Sequence, residues 1–172
     1  MLRLKSKTNF DNSSRKGQQG FSIIEMAVVF LIIAIVAAIA IPQVLNYLKR
    51  YRVGVASRNV ATALQRARFL ATSNNKRAGI NIAEERNVKI EEYDPDGKLE
   101  PMLKGSVFLP EGVAISSDAP RQVAFDGRGI VTPMPKESPK IRLNGDSGYF
   151  QVVTVNATGQ VTVSDMSREE RQ

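Results

Sequence analysis

The sequence predicts an α+β protein. One long N-terminal helix, apolar in its first half and amphipathic in its second, packs on a C-terminal antiparallel β domain. Three observations carry this. Met26–Ile41 is sixteen apolar residues without interruption, MAVVFLIIAIVAAIAI. Apolar residues then recur at helical spacing, without a Pro after Pro42, to about Thr72. From Ala78 onward the period shifts toward two and turn residues recur.

The apolar run comes first. With Phe21–Glu25 it makes 21 residues broken only by Ser22 and Glu25. About 20 apolar residues span the hydrocarbon of a bilayer, so 21–41 is expected to cross a membrane once. Arg3, Lys5, Lys7, Arg15 and Lys16 precede it. That basic excess holds the N-terminus in the cytoplasm and sends the C-terminus outward. The run is longer than a secretory h-region and lacks a small-x-small cleavage site at its end. Glu25 sets it apart from a plain anchor. An acid within an apolar span costs roughly 2.5–3.5 kcal/mol on insertion scales, which implies a partner or a function.

Residues 42–75 are expected to continue the helix. Pro42 has no N–H and should kink it or loosen one turn. Val44, Tyr47/Leu48, Tyr51 and Val55 form an apolar stripe that Val60, Leu64, Ala67 and Ala71 extend. From Phe21 to Thr72 the helix spans roughly 75–80 Å at 1.5 Å per residue. Eight basic residues fall between 49 and 77. They read as a solvated face, with Lys49, Arg50 and Arg52 near anionic lipid headgroups, ahead of a nucleic-acid stripe.

Residues 76–164 are expected to form the β domain. Gly79–Ala83 and Asn87–Tyr93 flank Glu84-Glu85-Arg86 as a hairpin. Asp94-Pro95-Asp96-Gly97 is a turn rather than a calcium loop, because the later ligand spacing is missing. Further strands are expected at Lys104–Leu109, Val113–Ser116, Gln122–Phe125, Lys140–Leu143, Tyr149–Val155 and Gln160–Ser164. Pro133, Pro135 and Pro139 mark an exposed loop, and Asn156-Ala157-Thr158 a hairpin turn. The polar tail 165–172 is expected to fray. The 95 residues after Arg77 are few, so the helix must supply part of their core.

Composition narrows the function. The 172 residues contain no Cys and no His, which excludes disulfides, thiolate chemistry, Ser-His-Asp machinery and nearly every zinc site. There is no Trp, and aromatics are 6%, a poor basis for stacking single-stranded nucleic acid. No catalytic residue, metal or cofactor is expected. The net charge of +7 is uneven: +4 over 1–20, +7 over 21–77 and −4 over 78–172. The basic balance therefore describes the N-terminal segment and the helix rather than the β domain.

Lys16-Gly17-Gln18-Gln19-Gly20, then Phe21-Ser22-Ile23-Ile24-Glu25, the apolar run and Pro42, resemble the class III signal of type IV pilins and type II secretion pseudopilins. The resemblance implies a pilin fold. It implies that 1–20 is a leader cut between Gly20 and Phe21 by a membrane aspartyl prepilin peptidase, and that Phe21 is N-methylated. It also implies that Glu25 pairs with the N-terminal amine of a neighbouring subunit. Gly20 suits a protease because nothing on it obstructs the backbone. At twenty residues the leader is longer than that of many type IVa pilins.

Leu64-Gln65-Arg66-Ala67-Arg68-Phe69-Leu70-Ala71 with Asn75 resembles the helix end of H-type minor pseudopilins and FimT-like minor pilins. Phe125-Asp126-Gly127-Arg128-Gly129 and the closing stretch Val152–Val161 resemble their last turn and hairpin, on a two-sheet β fold. The function implied is a minor pilin or pseudopilin. Its partners are other pilins through the helix, the prepilin peptidase, and inner-membrane lipid before assembly. It sits in the bacterial inner membrane with its C-terminus periplasmic, then in a pseudopilus or pilus. The alternative is a DNA-binding pilin of an uptake system. Some FimT-like members bind DNA through a C-terminal Gly-Arg-x-Arg, but here Gly159-Gln160-Val161-Thr162 has no Arg. Arg121, Arg128, Lys140 and Arg142 are the candidate substitute patch, against a simpler reading as dispersed surface charge. A membrane-tethered enzyme would need a clustered acid/base pair, which no motif places.

Overall fold

The computed structural model describes residues 21–93 and 99–169. Residues 1–20, with Gly20, and the Asp94-Pro95-Asp96-Gly97 turn lie outside the described residues. Helix α1 runs Ile23–Asn74 and passes through Pro42 without a break in its assignment. The chain divides at Ala40/Ile41 into two compact units, each described by itself.

In the first unit α1 starts where Ser22 offers its carbonyl to the Met26 N–H at 3.1 Å. Ser22 and Glu25 stand at the spacing of a capping box, and the acid in the first turn suits the positive end of the helix dipole. From Ile23 to Ile39 the large apolar side chains are exposed. No described residue of this unit covers them.

The second unit holds the rest of α1 and two antiparallel sheets. The strands are β1 (Ala78–Glu84), β2 (Asn87–Tyr93), β3 (Leu99–Phe108), β4 (Val113–Ile115), β5 (Gln122–Phe125), β6 (Lys140–Gly145), β7 (Tyr149–Val155), β8 (Val161–Val163) and β9 (Ser167–Arg168). One sheet has the order β3-β2-β1-β5; the other runs β4-β6-β7-β8, with β9 also pairing β7. Alternation puts Ile80, Val88, Ile141, Leu143, Val153 and Val155 into one cluster with the inner face of α1. Each fully buried Val or Leu contributes roughly 1.5–3 kcal/mol relative to exposure. β3 begins earlier than expected. It includes Pro101, which an edge strand tolerates because no neighbour needs its N–H.

Two expectations need correcting. Val44, Tyr47, Leu48 and Tyr51 are exposed, and Val55 is half-buried. The covered stripe starts at Val53 and runs through Ala56, Ser57, Val60, Leu64, Ala67 and Ala71. Ser57 joins this inner face because its hydroxyl donates to the Val53 carbonyl at 3.0 Å, so no polar group is stranded. Half of the ten buried helix residues are alanine, and small side chains let α1 lie close to the sheets. The second correction is the tail. Ser167–Arg168 pairs with Tyr149–Phe150, Glu169 N–H donates to the Gly148 carbonyl at 2.8 Å, and Met166 packs against the core. A two-residue strand in a polar sequence has no periodicity to read.

Candidate functional site

The first candidate site is the start of α1. Phe21 is 76% exposed and Ile23 90%, with the Glu25 side chain exposed among them. α1 contains an 18-residue window of mean hydropathy 3.0, so by length and composition it can cross a membrane. Every route to covering these side chains, by lipid or by another helix, puts the Glu25 carboxylate in an apolar setting. A charge there needs a paired cation, since an unpaired buried charge costs several kcal/mol, about 3–5. The site therefore combines an exposed apolar surface with one acid.

The second site is a clasp at the far end of α1. Arg68 Nε donates to the Gly129 carbonyl at 3.1 Å, and its Nη2 donates to the Thr158 carbonyl at 3.1 Å. One guanidinium thus ties the helix to the 126–129 turn and to the 156–159 hairpin. The two turns also join each other, with Val131 N–H donating to the Ala157 carbonyl at 3.2 Å. Gly129 and Gly159 have φ of +77° and +79°. A methyl on Gly159 would collide with the Gly129 carbonyl oxygen, so only glycine fits. The helix ends beside them. Asn75 has φ of 49°, and Lys76 N–H reaches back to the Ala71 carbonyl at 3.1 Å, a Schellman closure. The Leu64-x-x-Ala67-Arg68-x-x-Ala71 pattern is thereby explained: three residues pack inward and Arg68 clasps.

Asp126 shapes the first turn. Its Oδ1 accepts from Ile130 N–H at 2.9 Å and Arg128 N–H at 3.0 Å, while Oδ2 accepts from Arg128 Nε at 3.1 Å and Nη2 at 3.0 Å. The Ile130 backbone bond, aided by the Arg128 guanidinium and N–H, holds its carboxyl below the usual carboxylate range against opposing desolvation.

The four candidate nucleic-acid cations do not share one element. Arg121 precedes β5 and is exposed, Lys140 opens β6 and is exposed, Arg128 sits in the 126–129 turn and Arg142 in β6. Arg128 is paired with Asp126 at 3.0 Å. Arg142 is paired with Glu169 at 2.9 Å and lies over the Phe150 ring at 4.0 Å. Two of the four are thus already committed to carboxylates.

The prokaryotic N-terminal methylation motif matches residues 15–41. The chain thus carries this motif, and its fold is similar to those of a solved minor pilin and a solved minor pseudopilin. The fold is similar to the type IV minor pilin FimU of Pseudomonas aeruginosa PAO1, with 15% identity and a TM-score of 0.57 over 69% of this chain and 92% of that one. It is also similar to the minor pseudopilin EpsH of the type 2 secretion system of Vibrio cholerae, with 14% identity and a TM-score of 0.52 over 66% and 96%. No curated protein matches at the sequence level. The similar folds belong to pilins, not enzymes.

Proposed function

We propose that the chain is a minor structural subunit of a type II secretion pseudopilus or a type IV pilus, supporting filament initiation and assembly. The observation that carries this is a single carboxylate, Glu25, in an exposed apolar helix start that lies within the N-terminal methylation motif. The subunit waits as a single-pass inner-membrane protein, N-terminus cytoplasmic and β domain periplasmic. Prepilin peptidase cuts between Gly20 and Phe21 and leaves the apolar helix on the mature protein. Phe21 is N-methylated. Glu25 then pairs with the new amine of a neighbouring subunit, so the pair is neutral as the helix leaves lipid for the filament. Apolar packing supplies the affinity and the ion pair supplies the register. Pro42 supplies a point where the helix bends.

The test separates processing from assembly. With prepilin peptidase present, Glu25→Ala is expected to be trimmed normally and to lose most filament or secretion output. Gly20→Arg is expected to stay at precursor size on a gel. Normal output from Glu25→Ala contradicts the register role, and precursor trimming of Gly20→Arg contradicts the cleavage site.

A further inference from the structure

Past the apolar run, α1 and β7 border an open groove of about 370 Å³. Tyr47, Arg50, Tyr51 and Arg58 line it from the helix, Gln151 and Met166 from the second sheet, and Gly54 floors it. The Tyr47 and Tyr51 rings stack at 6.4 Å. Arg50 and Arg168 lie 5.2 and 5.5 Å from the centre of the Tyr149 ring. Among the described residues no carboxylate forms an ion pair with Arg50, Arg58 or Arg168. Gln151 Nε2 donates to the Ser164 carbonyl at 3.0 Å, which fixes its amide and leaves Oε1 buried with no donor.

We propose that this groove seats the headgroup of one membrane phospholipid. Arg50 and Arg58 pair with its phosphate, and the tyrosine rings flank the glycerol. Two features favour a lipid over an acidic protein segment. Tyr47 stands only six positions beyond Ile41, and Tyr with Arg next to an apolar span is the composition of a membrane interface. The volume suits a small ligand. The site rests on the membrane-resident stage proposed above, and holds the β domain at the surface until assembly.

The chain has four tyrosines and no Trp, and Tyr47, Tyr51 and Tyr149 surround the groove. Tyrosine fluorescence of the full chain carrying Tyr93→Phe, in a neutral detergent, is therefore titrated with short-chain phosphatidylglycerol, phosphatidylethanolamine and phosphatidylcholine. A saturable one-site change is expected, with the anionic phosphatidylglycerol bound more tightly than phosphatidylethanolamine and phosphatidylcholine, whose headgroup cations the arginines repel. Arg50→Gln/Arg58→Gln is expected to weaken binding by about tenfold or more. Both positions are exposed, so an unchanged melting temperature shows that the fold persists. Affinity unchanged in the double variant, equal competition by inorganic phosphate, or a signal that tracks protein concentration at fixed lipid overturns the assignment. Vesicle flotation reads membrane insertion separately. A chain that floats without a saturable signal overturns the headgroup site alone, and one that fails to float overturns the membrane stage and the site with it.

Discussion

The two halves of α1 use opposite designs. From Ile23 to Ile39 the helix shows large, branched, exposed side chains. From Val53 to Ala71 it shows small ones that are buried: Ala56, Ala61, Ala63, Ala67 and Ala71 beside Val53, Val60 and Leu64. The first half offers its apolar area to other molecules, whereas the second spends it on its own sheets. Small residues belong in the second half because α1 must lie close to two sheets there. The lesson is that hydrophobicity alone does not say where a helix is buried. Side-chain size and polar interruption say more.

Four changes break or sharpen this comparison, taken from the largest effect to the smallest. Leu64→Ala opens a cavity in the cluster and is expected to cost roughly 2–5 kcal/mol in denaturant unfolding of the β domain. The equivalent truncation Ile33→Ala, on the exposed half, is expected to move that transition by less than about 0.5 kcal/mol. Equal losses at the two positions would break the comparison. Gly159→Ala forces a Cβ onto the Gly129 carbonyl and a left-handed φ onto alanine. Its expected cost is about 2–4 kcal/mol, read as a lower melting temperature.

Gly54→Ala sharpens the boundary between the halves. A Cβ there would meet Arg58, Met166 and Gln151 at 3.9–4.0 Å, which is ordinary contact. The variant is expected to gain about 0.5–1 kcal/mol from helix propensity and a less disordered unfolded chain. A loss would mean that the helix needs flexibility at that turn.

Asp126 gives the smallest effect, through pH. Its folded carboxyl titrates below the unfolded value of about 3.9, because the Ile130 and Arg128 bonds favour the charged form. Its contribution is therefore present above that unfolded value and is lost as pH falls through the folded one. The stability gap between wild type and Asp126→Asn is expected to stay constant from neutral pH to about pH 4 and to close below it. A gap that persists undiminished in strong acid would contradict the bonding at the turn.

Much of the fold was legible in the chain. Asn87–Tyr93, Gln122–Phe125 and Tyr149–Val155 lie between turns and stand where expected. The start of the buried helix stripe was not legible, because Tyr47, Leu48 and Tyr51 hold helical spacing while facing solvent. Tyrosine satisfies an apolar pattern and a wet surface equally well. Glu25 was legible as a lone acid in an apolar run. The clasp was legible only as a motif, since the carbonyls that Arg68 holds lie 61 and 90 residues away. The groove was not legible at all. Its helix side reads as a basic face, and the Gln151 that completes it arrives on β7.

The account rests on the first half of α1 being released for assembly by cleavage before Phe21. Mass spectrometry of the N-terminal peptide, from the full chain produced with a prepilin peptidase, tests this most directly. The expected peptide begins at Phe21 and carries one added methyl group on its amine. A peptide beginning at Met1, or at any residue within the apolar run, would contradict it.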